Sequence, residues 1–196
     1  MSEADWVRRA RAGDDGAFTQ LVETYQTPIF NLCYRMLGEA GEAEDAAQET
    51  FLRAYSQLAR YDPTRSFKTW LFSIANHHCI DRLRKRRLTW LSIDDDLPPH
   101  PALQDHTIGP EEASVRREQT EMLQALLARL APDDRAVVAM RYWHDLSYEE
   151  IAEATQTTVS AVKSRLHRAR GSLGEMLAAG ARTPRPAARP ALRAES

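Results

Sequence analysis

Apolar residues in this chain return every three or four positions in two separate stretches, and no comparable run alternates with a period of two. The first stretch extends from Asp15 to about Leu88. It sets Phe18, Leu21, Val22 and Tyr25 on one helical face, Phe51, Ala54, Tyr55 and Leu58 on another, and Phe67, Leu71, Ile74 and His78 on a third. The second begins near Val115, with Met122, Leu123, Leu126, Leu127 and Leu130 on one face, and continues to about Leu177. Pro132 follows "RLA", where it ends one helix and opens the next, "PDDRAVVAMRYWHD". The pattern predicts an all-α chain with two small helical domains, residues 1–88 and 115–178.

Between them, 89–114 holds Pro98, Pro99, Pro101 and Pro110 and lacks helical periodicity, which marks a flexible linker. It carries Asp94, Asp95, Asp96, Asp105, Glu111 and Glu112 and no lysine or arginine. Such a segment is either a spacer extended by self-repulsion or an anion that threads a positive channel on a partner. The tail, 179–196, is rich in proline, alanine and arginine and is expected to be disordered.

Within the second domain, Ser147 followed by Glu150 is a capping box, which starts a helix at Tyr148. Ile151 and Ala154 point inward, Thr155 to Thr157 turn the chain, and Thr158 caps a second helix. Val159, Val162, Leu166, Ala169 and Leu173 form that helix's buried stripe. Its other face presents Ser160, Ala161, Ser164, His167 and Arg168, with Lys163 and Arg165 on the flanks. Small residues at the tip admit close entry into a major groove; serine, histidine and arginine offer donors to base edges, and the flanking cations suit phosphates. The plainer alternative is a helical pair with a basic solvated face. Tandem caps, small tip residues and cations behind them together favour DNA.

The first domain carries a different surface. "FKTWLFSIANHHCIDRLRKRR" runs from aromatic residues into Arg82, Arg84, Lys85, Arg86 and Arg87. Aromatics stack on unpaired bases and the cations hold the backbone. A helical wheel sets Asn76 on an outward stripe with Arg87, where its amide could read a base. Phe67 and Trp70 are expected in the core, and Tyr61, before the turn "DPTRS", is expected exposed. Just upstream lie Glu39, Glu42, Glu44, Asp45 and Glu49, with no cation between them. Asp45, Gln48 and Glu49 share one face. Like charge repels phosphate, so this face suits a protein partner with arginines.

Charge and composition narrow the class. The formal net charge of −2 over 196 residues excludes nucleic-acid coating by bulk charge, so any DNA contact must come from local clusters. Cys33 and Cys79 form no C-x-x-C pair and fit reduced, half-buried thiols in a cytosolic protein. No run reaches signal-peptide or membrane-spanning length, and a cytoplasmic location with no membrane insertion is expected.

"DAAQETFLRAY", "FKTWLFSIANHHCIDRLRKRR" and "LSYEEIAEATQTTVSAVKSRLHRAR" together resemble the sigma-70 family of bacterial sigma factors, specifically its extracytoplasmic-function (ECF) group. The resemblance covers roughly Ala17 to Leu88 and Glu121 to Leu177 and implies a region 2 helical bundle and a region 4 helix-turn-helix. It implies that Asp45, Gln48 and Glu49 dock on core RNA polymerase. Tyr61 and Asn76 would engage the melted strand of the promoter minus-ten element, Asn76 in a pocket for a flipped base. Lys163, Ser164, His167 and Arg168 would contact the minus-thirty-five element as duplex. The linker would follow a nucleic-acid channel in polymerase, and an anti-sigma factor is an expected partner. No catalytic residue, cofactor, metal or small-molecule substrate is implied. Two positions depart from the family: Gln156 stands where the turn usually carries glycine, and His167 where an aromatic or arginine is common.

Two other readings start from the same residues. A regulator acting without polymerase predicts a sensing domain upstream, where this chain has the acidic face and basic aromatic helix. A metal enzyme using His77, His78, Cys79 and Asp81 is opposed by helix geometry, since consecutive residues point about 100° apart. If the two domains fold onto each other, their DNA surfaces are hidden.

Overall fold

The computed structural model of the chain describes residues 2–90 and 110–182, and every regular element among them is helical. The expectations placed on Asp94, Asp95, Asp96, Asp105 and the tail beyond Arg182 lie outside the described residues. Helix α1 spans Glu3–Arg11, α2 Asp15–Leu37, α3 Ala40–Gln57 and α4 Phe67–Trp90. A second group follows with α5 at Pro110–Ala128, α6 at Pro132–Trp143, α7 at Tyr148–Ala154 and α8 at Val159–Arg182. Both α4 and α5 reach into the stretch assigned to the linker, and α5 opens with Pro110 at its first position, where a fixed φ and a missing N–H cost least.

Helix ends follow local chemistry. Ser2 and Asp5 make a capping box that starts α1, an element that apolar periodicity did not announce. Asp14 accepts from Ala17 N at 3.0 Å at the start of α2, and Gly38 at φ 83° ends that helix. Glu39 caps α3 through its carboxylate, which accepts from the amides of Gly41 and Glu42. Leu21, Ile29, Leu32 and Met36 of α2 and Leu71 and Phe72 of α4 are wholly buried, and α2 packs against both α3 and α4. Tyr55, expected to face inward, is exposed; its ring lies edge-on to Phe18 and its hydroxyl donates to Asp15 at 2.7 Å.

The two bodies pack on each other, α2 against α5 and α6, α4 against α6 and α7, and their buried apolar residues form one cluster running from Val7 to Ala169. Polar contacts cross the same boundary. Arg135 of α6 donates from Nη1 to the Met36 carbonyl at the end of α2 (2.5 Å) and from Nη2 to the Ala128 carbonyl at the end of α5 (2.7 Å). Lys68 donates to the His144 carbonyl at 2.9 Å, Gln124 to the Tyr34 carbonyl at 3.3 Å, and Arg65 pairs with Glu153. The Arg35 guanidinium lies 4.7 Å from the centre of the Trp143 ring, and Phe72 meets His144 edge-on at 4.8 Å.

Candidate nucleic-acid interface

Helices α7 and α8 build the helix-turn-helix. Ser147 and Glu150 cap each other reciprocally, Glu150 accepting from Ser147 N at 2.7 Å and Ser147 from Glu150 N at 3.1 Å. The paired amide holds the Glu150 carboxyl below its ordinary range. The turn closes through Thr157 N to Ala152 O at 2.8 Å, with Gln156 at φ 52° in the left-handed region usually left to glycine. Thr158 then accepts from Ala161 N at 3.1 Å and starts α8. Val162, Leu166 and Ala169 are buried, while Ser160, Lys163, Ser164, His167 and Arg168 are exposed and Arg165 is half-buried. The expected outward face is therefore assembled on one helix, with one qualification. The Arg168 guanidinium is not open: it grips the buried Asp134 of α6 with two bonds, 2.8 and 2.7 Å. Arg165 lies 3.7 Å from Asp133.

On α3, Asp45 and Gln48 are exposed and Glu49 is half-buried, and all three share a face with Leu52, which is 67% exposed. Leu52, four residues after Gln48, is a surface residue that the acidic pattern did not single out. No cation stands between these acids in the sequence, and the fold brings compensating cations to them from α4. Arg86 pairs with the Glu42 carboxylate, and Arg82 donates to the Glu42 carbonyl at 3.3 Å and lies 3.8 Å from Asp45. Arg53, one turn on from Glu49, bonds it at 2.7 Å and holds its carboxyl below the ordinary range. Of the basic run, Arg84, Lys85 and Arg87 are exposed, Arg84 3.8 Å from Asp81.

Two assigned positions are not where the sequence suggested. Tyr61 is 4% exposed, not on the surface. Its hydroxyl donates to the Arg65 carbonyl and closes the turn, and its ring packs 4.8 Å from Trp70 and 5.7 Å from Phe67. Asn76 is 1% exposed, with Oδ1 buried and no hydrogen-bond partner among the described residues. The wheel misplaced it because α4 is enclosed by α2 and α3 on its own body and by α6 and α7 on the other, so a stripe that is outward on an isolated helix is covered here. What does open to solvent beside Tyr61 is a cleft of about 380 Å³ between α1 and the turn 61–67, lined by Arg8, Arg11, Arg65, Tyr61 and Phe67 among others.

The cysteines, distant in sequence, meet in the core between α2 and α4. A hydrogen bond with Cys33 and burial together push the Cys79 thiol well above the ordinary thiol range, and both cysteines are free. His77 turns its Nδ1 to the Ser73 carbonyl at 2.6 Å. Among the described residues no three histidine, cysteine, aspartate or glutamate side chains converge as metal ligands.

Residues 21–89 match the family model for sigma-70 region 2, and residues 120–173 match that for sigma-70 region 4. Over 87% of its length the chain is 36% identical to the ECF RNA polymerase sigma factor SigW of Bacillus subtilis, covering 94% of that protein. It is 34% identical to the RNA polymerase sigma-H factor of Pseudomonas aeruginosa, over 87% of this chain and 91% of that one. Among solved structures, CnrH in complex with the cytosolic domain of CnrY superposes on 90% of this chain and 97% of its own with a TM-score of 0.69 and 25% identity. A Bartonella quintana RpoE, solved with the anti-sigma factor NepR, shares the fold at a TM-score of 0.65 and 21% identity, over 82% of this chain and 96% of its own.

Proposed function

The chain belongs to the sigma-70 family, in its ECF group, and from that premise we propose how its surfaces divide the work of transcription initiation. Core RNA polymerase supplies the chemistry, and this subunit, itself non-catalytic and cytoplasmic, supplies promoter choice and strand opening. Asp45, Gln48 and Glu49, with the exposed Leu52 among them, dock on polymerase: an acidic rim around an apolar side chain suits a basic protein surface. Beside them, Phe30, Ala47 and Phe51 line an apolar groove of about 320 Å³ between α2 and α3, which extends the same interface. Ser160, Lys163, Ser164, Arg165 and His167 on α8 meet the minus-thirty-five duplex. Arg82, Arg84 and Lys85 track backbone phosphate near the minus-ten element.

With Tyr61 and Asn76 in the interior, capture of unpaired bases passes to the cleft between α1 and the turn 61–67, where arginines border the edges of Tyr61 and Phe67. Tyr61 then shapes that cleft's wall, and Asn76 is not among the residues that line it. An anti-sigma factor is the expected regulator; CnrH, similar over nearly the whole chain, was solved with a protein partner.

The observation that carries this reading is the presence of two unlike surfaces on one chain, an exposed acidic-apolar face on α3 and a polar, cationic face on α8. In vitro transcription tests it. Added to core polymerase, the protein confers initiation at a specific promoter, and charge reversal by Asp45→Lys with Glu49→Lys abolishes polymerase binding while circular dichroism stays unchanged. Failure of folded protein on a genomic promoter library would overturn the reading, and full-affinity promoter binding without polymerase would favour a stand-alone regulator.

A further inference from the structure

Arg168 sits on the DNA-facing side of α8, where an arginine fork would ordinarily take guanine O6 and N7 or grip a phosphate. In this chain that fork is already engaged. Nε donates to one Asp134 oxygen at 2.8 Å and Nη2 to the other at 2.7 Å, a two-pronged carboxylate pair. The two partners are unequally exposed: the Asp134 side chain is 7% accessible and the Arg168 side chain 61%. Asp134 lies in the first turn of α6, behind Pro132, where the helix dipole also favours its negative charge. One turn earlier on α8, Arg165 approaches Asp133 at 3.7 Å. Two successive turns of α8 are thus tied to the first turn of α6.

Pulling Arg168 away to read a base would leave a nearly buried carboxylate without its one cationic partner among the described residues, close to incoming phosphates. The penalty for stranding a buried charge exceeds what one two-pronged base contact returns. Lys163, Ser164 and His167 have no carboxylate tie among the described residues: the Lys163 ammonium lies 5.8 Å from the centre of the Tyr148 ring, Ser164 donates to the Ser160 carbonyl at 3.0 Å, and all three are exposed.

We propose that Arg168 is a positioning residue that acts through Asp134, fixing the rotation of α8 against α6, and that the promoter base beneath it goes unread while Lys163, Ser164 and His167 carry the sequence choice. The proposal rests on the reading that α8 binds duplex promoter DNA. It gives Asp134 a role in specificity as well as in packing: the carboxylate withholds an arginine from the groove.

The test uses the full chain with core polymerase and a promoter library randomised across the upstream element, with bound sequences counted at several salt concentrations. Arg168→Ala weakens binding to all sequences by a similar factor and leaves their rank order intact. The paired change Asp134→Asn with Arg168→Gln, which swaps the ion pair for an amide pair, restores binding with the same rank order. Asp134→Asn alone releases the fork and adds a guanine preference of roughly tenfold at one position, or a salt dependence steeper by about one phosphate contact. Either gain disappears when Arg168→Ala is combined with it. Loss of preference at a single base in Arg168→Ala, unrescued by the amide pair, would show direct readout and overturn the proposal. If Lys163→Ala with His167→Ala leaves upstream binding unchanged, α8 is not the reader, and the functional reading falls together with the proposal.

Discussion

Replacing Arg135 with methionine loosens the joint between the two bodies. Arg135 is buried, it donates to the Met36 carbonyl at 2.5 Å and to the Ala128 and Leu130 carbonyls at 2.7 and 3.3 Å, and its Nε has no hydrogen-bond partner among the described residues. Burial, followed by the Arg86 charge, pulls its guanidinium below the ordinary arginine value. Its acceptors are carbonyls at helix ends, which an α-helix cannot satisfy internally. Removing a buried ion pair entire is often neutral, because both desolvation penalties vanish together. Here only the donor leaves. Each stranded carbonyl costs about 1–3 kcal/mol, and the two short bonds set the scale at roughly 2–6 kcal/mol. Relief of the guanidinium's own desolvation, several kcal/mol in a dry site, offsets part of that. We expect a net loss of about 2 kcal/mol, while truncation to alanine adds a cavity and raises it to about 4 kcal/mol. The Met36 bond joins different bodies, so its share, on the order of 1.5 kcal/mol, raises the population of separated bodies about tenfold. Urea unfolding followed by circular dichroism reads the first quantity, and small-angle scattering reads the second through the radius of gyration. An Arg135→Met protein within about 0.5 kcal/mol of the parent, with an unchanged scattering curve, would refute the idea that these carbonyls depend on Arg135.

Two further outcomes follow from single residues. Burial, then the charges of Lys68 and Arg35, lower the His144 pKa from 6.5 to about 4, with Asp145 opposing them. The packed state holds the ring neutral, so its contribution is complete above pH 6.5 and is lost as pH falls toward 4. The loss is roughly 2 kcal/mol once partial exposure is allowed for, and His144→Phe, which keeps the edge contact with Phe72, flattens the dependence of Tm on pH in that window; an unflattened profile places the titration elsewhere. Gln156→Gly relieves the left-handed backbone at φ 52° and stabilises by up to about 1 kcal/mol, a rise of a few degrees in Tm, whereas a fall would mean that the glutamine side chain holds the turn.

Local chemistry was legible before the fold. Ser147 with Glu150, Thr158 before α8 and Pro132 opening α6 each work within four residues, and all three stand as the spacing indicated. The stripe Val159, Val162, Leu166, Ala169 and Leu173 was equally readable, its middle buried and its two ends half-buried, because a helix at the surface of a domain has one covered side. Asn76 escaped that logic because α4 is covered on several sides, and no wheel records which neighbouring helix covers which side. Tyr61 escaped it because a turn residue can bury its ring when its own hydroxyl caps the turn. The meeting of Cys33 with Cys79, of Glu42 with Arg86 and of Asp134 with Arg168 depends on helices far apart in sequence, and single-sequence periodicity carries no term for them.

The packing of the two bodies does not bear equally on every surface. Asp45, Gln48 and Leu52 on α3, and Ser160, Lys163, Ser164 and His167 on α8, stay exposed with the bodies together. The cleft beside α1 differs, because Arg65 on its rim is tied to Glu153 of α7. A nucleic-acid strand entering that cleft must compete with Glu153 for Arg65. That ion pair is partly exposed, and such pairs contribute about 0–1 kcal/mol, so a phosphate displaces the carboxylate at little cost. Separating the bodies is a different matter. It strips the Met36 carbonyl from Arg135, the His144 carbonyl from Lys68 and the Phe72 edge from His144, and it exposes shared apolar surface. Release of Arg65 therefore requires no separation, and the energetic threshold for parting the bodies lies at Arg135 and the apolar seam around it.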